Sequence, residues 1–315
     1  MNKLFLIKNP ELFQGEKYLS TKKNYFDSWY FKNTNNENGI SFIPGININD
    51  KEKKAFIQVI TNDASYYINY NIQEFEYKIN PFKIQIGKNI FSKNEIHIDI
   101  KENTQNLSIY GDIKYWDSKN ITTSPLNPNI MGPFSYIPFM ECNHAILSMQ
   151  NNTQGSICIN NKTINFNNAT GYIEKDWGCS FPKTYIWCQA NNFQKTNASF
   201  MLSVADVPFK LLTFKGTICV LKTEKQEYKF TTYNNTKLIK YDVNNNIINI
   251  TLKKGYYILN IKSKYNKGLK LSAPVKGKMS KDIFESISSE ITVTLKKDNA
   301  IIFADTSKNC GLEIV

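Results

Sequence analysis

The chain has 315 residues, 41% of them hydrophobic and 13% aromatic, enough apolar side chain for a packed core and too much for a disordered chain. Its formal charge is +12, yet all 39 basic residues are lysines. Without arginine, the bidentate readout of bases and phosphates typical of sequence-specific nucleic-acid binders is excluded. The lysines are scattered, with Lys51–Lys54 the tightest run, so the expected surface is a solvated lysine coat with a weak attraction to anionic membrane headgroups.

In chain order, the first ten residues carry too short an apolar run for a signal peptide, and a weak helical pattern follows over 10–18. Asp27-Ser-Trp-Tyr-Phe-Lys32 reads as a strand. Alternation puts Ser28, Tyr30 and Lys32 on one face and Asp27, Trp29 and Phe31 on the other. Further strands are expected over 55–60 and 66–79, and then at Ile96, Ile98 and Ile100, where His97 falls on the solvent side. The segment Thr122–Pro138 holds four prolines and Gly132, which excludes a central strand. His144 opens a strand over 144–150, where a lone histidine is most simply a hydrogen-bonded structural residue.

The most unusual stretch runs from Tyr172 to Phe193. Tyr172, Glu174 and Asp176 alternate with Ile173, Lys175 and Trp177. Trp187, Gln189, Asn191 and Phe193 share one face of the next strand. Polar groups interleaved with large aromatics either face solvent or line a cavity, because unpaired buried polar groups are costly. Two near carboxylates discourage each other from ionising, and a carboxylic acid kept neutral is a proton donor. The plain alternative is a pair of solvated or salt-bridged strand residues.

Strand patterns resume over 198–206, 211–222, 227–233, 237–242, 246–252, 255–264, 290–296 and 299–304, with a weak helical pattern at Lys281–Ser288. Some twenty short strands predict an all-β chain of two antiparallel β-barrel or sandwich domains, divided near Phe181 into 1–181 and 182–315. Six cysteines form no CxxC pair and only two histidines exist, so no close-spaced zinc site is expected. No metal and no cofactor are expected. Free thiols and the lack of an 18-residue apolar run give a cytoplasmic expectation, with membrane contact at most peripheral.

Three blocks resemble the tocopherol cyclase family and its bacterial relatives. The first is Phe26-Asp-Ser-Trp-Tyr-Phe-Lys32 with Ser41-Phe-Ile-Pro-Gly45 and Ala55-Phe-Ile-Gln-Val59. The second is Tyr172-Ile-Glu-Lys-Asp-Trp-Gly178 with Ser180-Phe-Pro-Lys183 and Ile186-Trp-Cys-Gln-Ala-Asn191. The third is Leu271-Ser-Ala-Pro274 with Gly311-Leu-Glu313. The resemblance implies two lipocalin-like domains, as in the distantly similar carotenoid hydratases, and a site for a prenyl lipid. It also implies acid catalysis, in which an alkene is protonated and an oxygen adds to the cation. Glu174 and Asp176 become the catalytic candidates, with Glu174 ranked first because the family pattern often has Asn where Asp176 stands. Asp27, Trp29, Tyr30, His144, Trp177, Trp187, Gln189 and Asn191 become the substrate-binding candidates, the tryptophans as walls and the two amides as ring-hydroxyl partners. The rival expectations are a non-enzymatic lipid carrier and an interaction protein whose aromatic clusters are merely core.

Overall fold

The computed structural model describes residues 2–138, 140–209, 212–266 and 268–315. Position 211, the start of one expected strand, lies outside the described residues. The all-β expectation holds. The strands form a 12-stranded and a 10-stranded sheet, and helix is confined to Lys3–Lys8, Glu16–Leu19 and short 3-10 turns. Two compact units result. One holds Met1–Phe181 with Leu271–Asp282, and the other holds Pro182–Lys270 with Ile283–Val315. The first unit thus takes in a short segment that the sequence pattern groups with the second.

In the first unit every strand pair in the path is antiparallel, and the path ends at Ser65–Asn71 on one side and Phe75–Lys78 on the other. Ile68 from one end packs in the same apolar cluster as Phe75, Ile84 and Ile86 from the other, together with Trp29, Phe42 and Ile57. The sheet therefore folds back over one core in lipocalin-like fashion. Among the described residues no ladder joins its two ends, so it is sandwich-like and not a closed barrel. The second unit repeats the plan around Ile186, Cys188, Leu202, Ile250, Val293 and Leu312. Each fully buried Ile, Leu or Phe in these clusters contributes about 1.5–3 kcal/mol of transfer free energy.

The central strands depart from simple alternation. All ten residues of Tyr25–Thr34 are buried, as are Gly171–Lys175 of the Ala169–Gly178 strand. One face packs on the apolar core. The other carries Tyr30, Lys32, Ser41, Gln58, Tyr172 and Glu174, which are nevertheless removed from water. An antiparallel sheet commonly leaves its second face wet. Here it does not, so the polar residues of that face need partners.

Thr122–Pro138 is irregular, as its prolines require, with a 3-10 turn at Gly132–Tyr136. Lys281–Ser288 is not helical. It lies within the long strand Lys278–Lys297, where Ile283, Glu285 and Ile287 point inward at strand spacing and override the weak helical pattern. Among the described residues no helix is long and apolar enough to cross a membrane.

Candidate active site

The Ala169–Gly178 strand lies between Tyr25–Thr34 and Cys142–Ile159, antiparallel to both. Register places Tyr30 and Ile146 on either side of Glu174, and Ser28 and His144 on either side of Asp176. Because facing residues in a ladder share a side of the sheet, Tyr30, His144, Glu174 and Asp176 converge, with Tyr172 two residues before Glu174. Gly178 ends the strand. Its φ is +153°, and a Cβ there would lie 2.1 Å from the Glu141 carbonyl, so the chain turns away at a position only glycine fits.

The side chains form a continuous network. The Tyr172 hydroxyl donates to Glu174 Oε2 at 2.5 Å. Glu174 Oε2 lies 3.5 Å from His144 Nε2. His144 Nδ1 meets Asp176 Oδ1 at 2.9 Å. Tyr30 packs edge-on against Tyr172, ring centroids 6.5 Å apart, and its hydroxyl accepts from Ser41 Oγ at 2.9 Å. Cys142 Sγ is 3.9 Å from Asp176. Glu174 is only 4% exposed.

Burial alone would lower the pKa of His144, but Asp176 and Glu174 outweigh it and push the ring up to about 9. At neutral pH His144 is therefore an imidazolium, its Nδ1–H donating to Asp176 and its Nε2–H turned toward Glu174. Burial pushes the Tyr172 hydroxyl well above its ordinary range, and the Glu174 charge adds to this, so Tyr172 remains a donor. Burial and then Asp176 likewise push the Cys142 thiol up, which keeps it from acting as a thiolate. Donor atoms of His144, Glu174 and Asp176 lie within 4.8 Å of one another, a spacing compatible with a small cation. A cation there would compete with the His144 proton, because a ligating imidazole must give its proton up. With that proton in place the arrangement is suited to moving protons.

The opposite face of the same strand is a different structure. Lys175 Nζ lies 3.0 Å from Asp27 Oδ1, both side chains fully buried. It donates to the Leu12 carbonyl and sits 4.5 Å and 5.1 Å from the ring centroids of Trp29 and Trp177. Asp27 Oδ2 accepts from the Gln14 backbone and the Tyr25 hydroxyl, each at 2.9 Å. Trp29 Nε1 donates to the Glu11 carbonyl at 2.8 Å. Asp27, Trp29 and Trp177, expected at a substrate site, thus surround a buried lysine on the core side, turned away from Glu174. The physical reason is the period of two. Trp177 is an odd number of residues from Glu174, and Asp27 and Trp29 pair with Trp177 and Lys175.

Trp187 and Gln189 lie in the second unit on the strand Tyr185–Ala190, and Asn191 follows it; all three are buried. Their face is opposite Ile186, Cys188 and Ala190, which pack in that unit's core. Trp187 faces Glu313 across the ladder, and Glu313 in turn faces Glu285. The Tyr185 hydroxyl donates to Glu313 Oε2 at 2.5 Å. His97, expected on the solvent side, is partly exposed, with Nδ1 2.7 Å from Asp112.

The pairing of His144 with both carboxylates is not readable from spacing, since it depends on strand register. The role of Tyr172 is readable, because it shares the period-two face with Glu174.

A model of the family described as tocopherol cyclase-like matches residues 115–315. A chloroplastic tocopherol cyclase from Zea mays is 30% identical over 96 residues, which cover 30% of this chain and 18% of the maize protein. The crystal structure of CghA superposes with a TM-score of 0.59 at 7% identity, covering 92% of this chain and 88% of CghA. Kievitone hydratase from Nectria haematococca gives 0.50 at 13% identity, covering 94% of this chain and 89% of the hydratase. At these identities the two structures share the fold with this chain.

Proposed function

The chain belongs to the tocopherol cyclase-like family, and from that premise we propose that it is a cyclase- or hydratase-type enzyme acting on a double bond of a hydrophobic prenyl lipid. The observation that carries this reading is the set of buried Tyr172 and Glu174 with partly buried His144 and Asp176, joined by contacts of 2.5 to 3.5 Å.

In the proposed reaction Glu174 takes the proton held on the His144 imidazolium and gives it to the less substituted carbon of the alkene, leaving a tertiary carbocation. An oxygen then adds to the cation, either the phenol oxygen of the same molecule, which closes a ring, or a water, which hydrates it. That oxygen loses its proton to the Glu174 carboxylate, which hands it back to His144, so the starting state is regenerated. A positioned acid of this kind contributes about 10²–10⁴-fold. Asp176 holds the His144 ring in orientation for both transfers. Tyr172 and Tyr30 hold the carboxyl in place and offer ring faces that favour a passing cation. Trp187, Gln189 and Asn191 are proposed as contacts for a hydrophobic ligand of the second unit, the indole as apolar wall and the amides as hydroxyl partners.

A carrier that only held a prenyl lipid would need an apolar lining. It would have no use for an imidazolium between two carboxyl groups, and that favours the enzyme. The test is incubation of a prenylated hydroquinone with wild type and Glu174→Gln in D2O, with products analysed by mass spectrometry. The wild type should give a ring-closed or hydrated product carrying one carbon-bound deuterium. The variant should bind the lipid and leave it unchanged. Equal turnover by the variant would remove Glu174 from the acid role. Binding without turnover by the wild type would favour the carrier.

A further inference from the structure

Away from the Glu174 face, the first unit carries a groove of about 670 Å³ lined by Lys22, Lys23, Lys51, Lys276 and Lys278, with Asn24, Asn49, Asp50 and Val275. Five ammonium groups share it with the single carboxylate of Asp50. All five lysines are exposed, and among the described residues none of them takes part in an ion pair. Five like charges gathered around one carboxylate repel one another on balance, so this grouping opposes itself unless an anion joins it.

One wall of the groove is a two-residue turn, Lys276-Gly277, between the strands Leu269–Val275 and Lys278–Lys297. Both turn residues have positive φ, 49° and 70°, as a type I′ hairpin requires. Such positions normally take Asn, Asp or Gly. Every other non-glycine residue with positive φ among the described residues is Asn or Asp, so Lys276 stands alone in breaking the rule. The turn is also fixed in place. Lys276 N donates to Ser180 Oγ at 2.8 Å, Gly277 N donates to the Cys179 carbonyl at 2.7 Å, and a Cβ on Gly277 would lie 2.0 Å from the Ile48 carbonyl. A rigid turn therefore holds a lysine in a conformation that lysine disfavours, at the edge of a groove already rich in lysine.

We propose that this groove docks the phosphate headgroups of an anionic bilayer. The donors are flexible point charges with no arginine fork, which suits many loosely placed phosphates better than one enclosed phosphate. Val275, 40% exposed at the turn, adds an apolar contact beside the charges. The attraction is electrostatic and weakens as salt rises.

The test is co-sedimentation of the full chain with vesicles of phosphatidylcholine alone or mixed with phosphatidylglycerol. Binding should appear only with the anionic lipid. Each lysine neutralised near such a surface should cost about fivefold, so Lys22→Ala/Lys276→Asn/Lys278→Ala should lose on the order of 100-fold. Lys237→Ala/Lys253→Ala/Lys262→Ala in the second unit removes the same charge and should lose far less. Equal losses in the two triple variants would assign the attraction to net charge and overturn the proposal. Lys276→Asn alone should weaken binding about fivefold while leaving the melting temperature unchanged or higher, since Asn suits the left-handed conformation. A lower melting temperature with unchanged vesicle binding would overturn it. Inorganic pyrophosphate titrated without vesicles should bind weakly, and tight binding lost in the groove variant would make the ligand a free phosphate and not a bilayer.

Discussion

The two faces of the Ala169–Gly178 strand hold two charge clusters on opposite plans. On the core face, Lys175 and Asp27 are fully buried and in contact. Burial lowers the pKa of Lys175 and raises that of Asp27, and their mutual attraction only partly offsets this. On the other face, the His144 side chain keeps 12% of its surface exposed, two carboxyl groups converge on one ring, and there the partners outweigh burial. The difference lies in burial and contact together. Lys175 is wholly buried and its pKa stays lowered although Asp27, Glu11 and Asp176 all favour its charge, whereas His144 is partly exposed and meets carboxylates at 2.9 and 3.5 Å. The first cluster is closed by backbone carbonyls, amides and indole rings, so it supports the fold. The second keeps a titratable proton between two acids, so it can move protons.

The sharpest way to break this comparison is to remove the acid from one face and the cation from the other. Glu174→Gln should reduce turnover of a prenyl substrate by about 10²–10⁴-fold, measured by product formation, and should cost only part of the His144 contribution to stability. Lys175→Met should act on stability instead. It leaves Asp27 buried without its cation and should destabilise the first unit by about 3–5 kcal/mol in denaturant. Lys175→Met/Asp27→Leu should recover most of that loss, because an apolar pair removes both charges at once.

A third, smaller effect is one of pH. The folded pKa of His144, about 9, lies above the ordinary histidine value of about 6.5. Its contribution to stability is fully present below pH 6.5 and is lost as pH rises through about 9. At its full size it is on the order of 3 kcal/mol. Denaturant unfolding across that window should show the decline in the wild type and much less of it in Asp176→Asn. The smallest effect concerns Tyr172→Phe. It removes one hydrogen bond to Glu174, and turnover should fall about tenfold, in line with roughly 1.5–3 kcal/mol for a bond to a charged group. An unchanged rate would mean that Tyr172 supports only packing.

The same period of two decides how much of this is legible in the amino-acid sequence. The all-β class, the break after Gly178 and the shared face of Tyr172, Glu174 and Asp176 all lie in local spacing. The separation of Trp177 from Glu174 lies there too, although the aromatic content of the stretch makes Trp177 read as a wall for the site. What spacing does not give is the neighbour on each side. His144 reaches Asp176 through antiparallel register with the Cys142–Ile159 strand, which slips at bulges near Ser148. Asp27 reaches Lys175 across another ladder, and Leu12, which accepts from the lysine, and Gln14, which donates to Asp27, lie outside any strand. The helical pattern at Lys281–Ser288 fails for a related reason, since the long strand there is imposed by its ladder partners and not by its own propensity.

The proton that one face of this strand stores between Glu174 and Asp176 can be tested directly. The chain has two histidines, so replacing His97 isolates the imidazole of His144 in an NMR pH titration. The account predicts an imidazolium at neutral pH that titrates near pH 9. In Glu174→Gln/Asp176→Asn the titration should fall below the ordinary value of about 6.5, because burial is then unopposed. A wild-type His144 that is already neutral at pH 7 would contradict it.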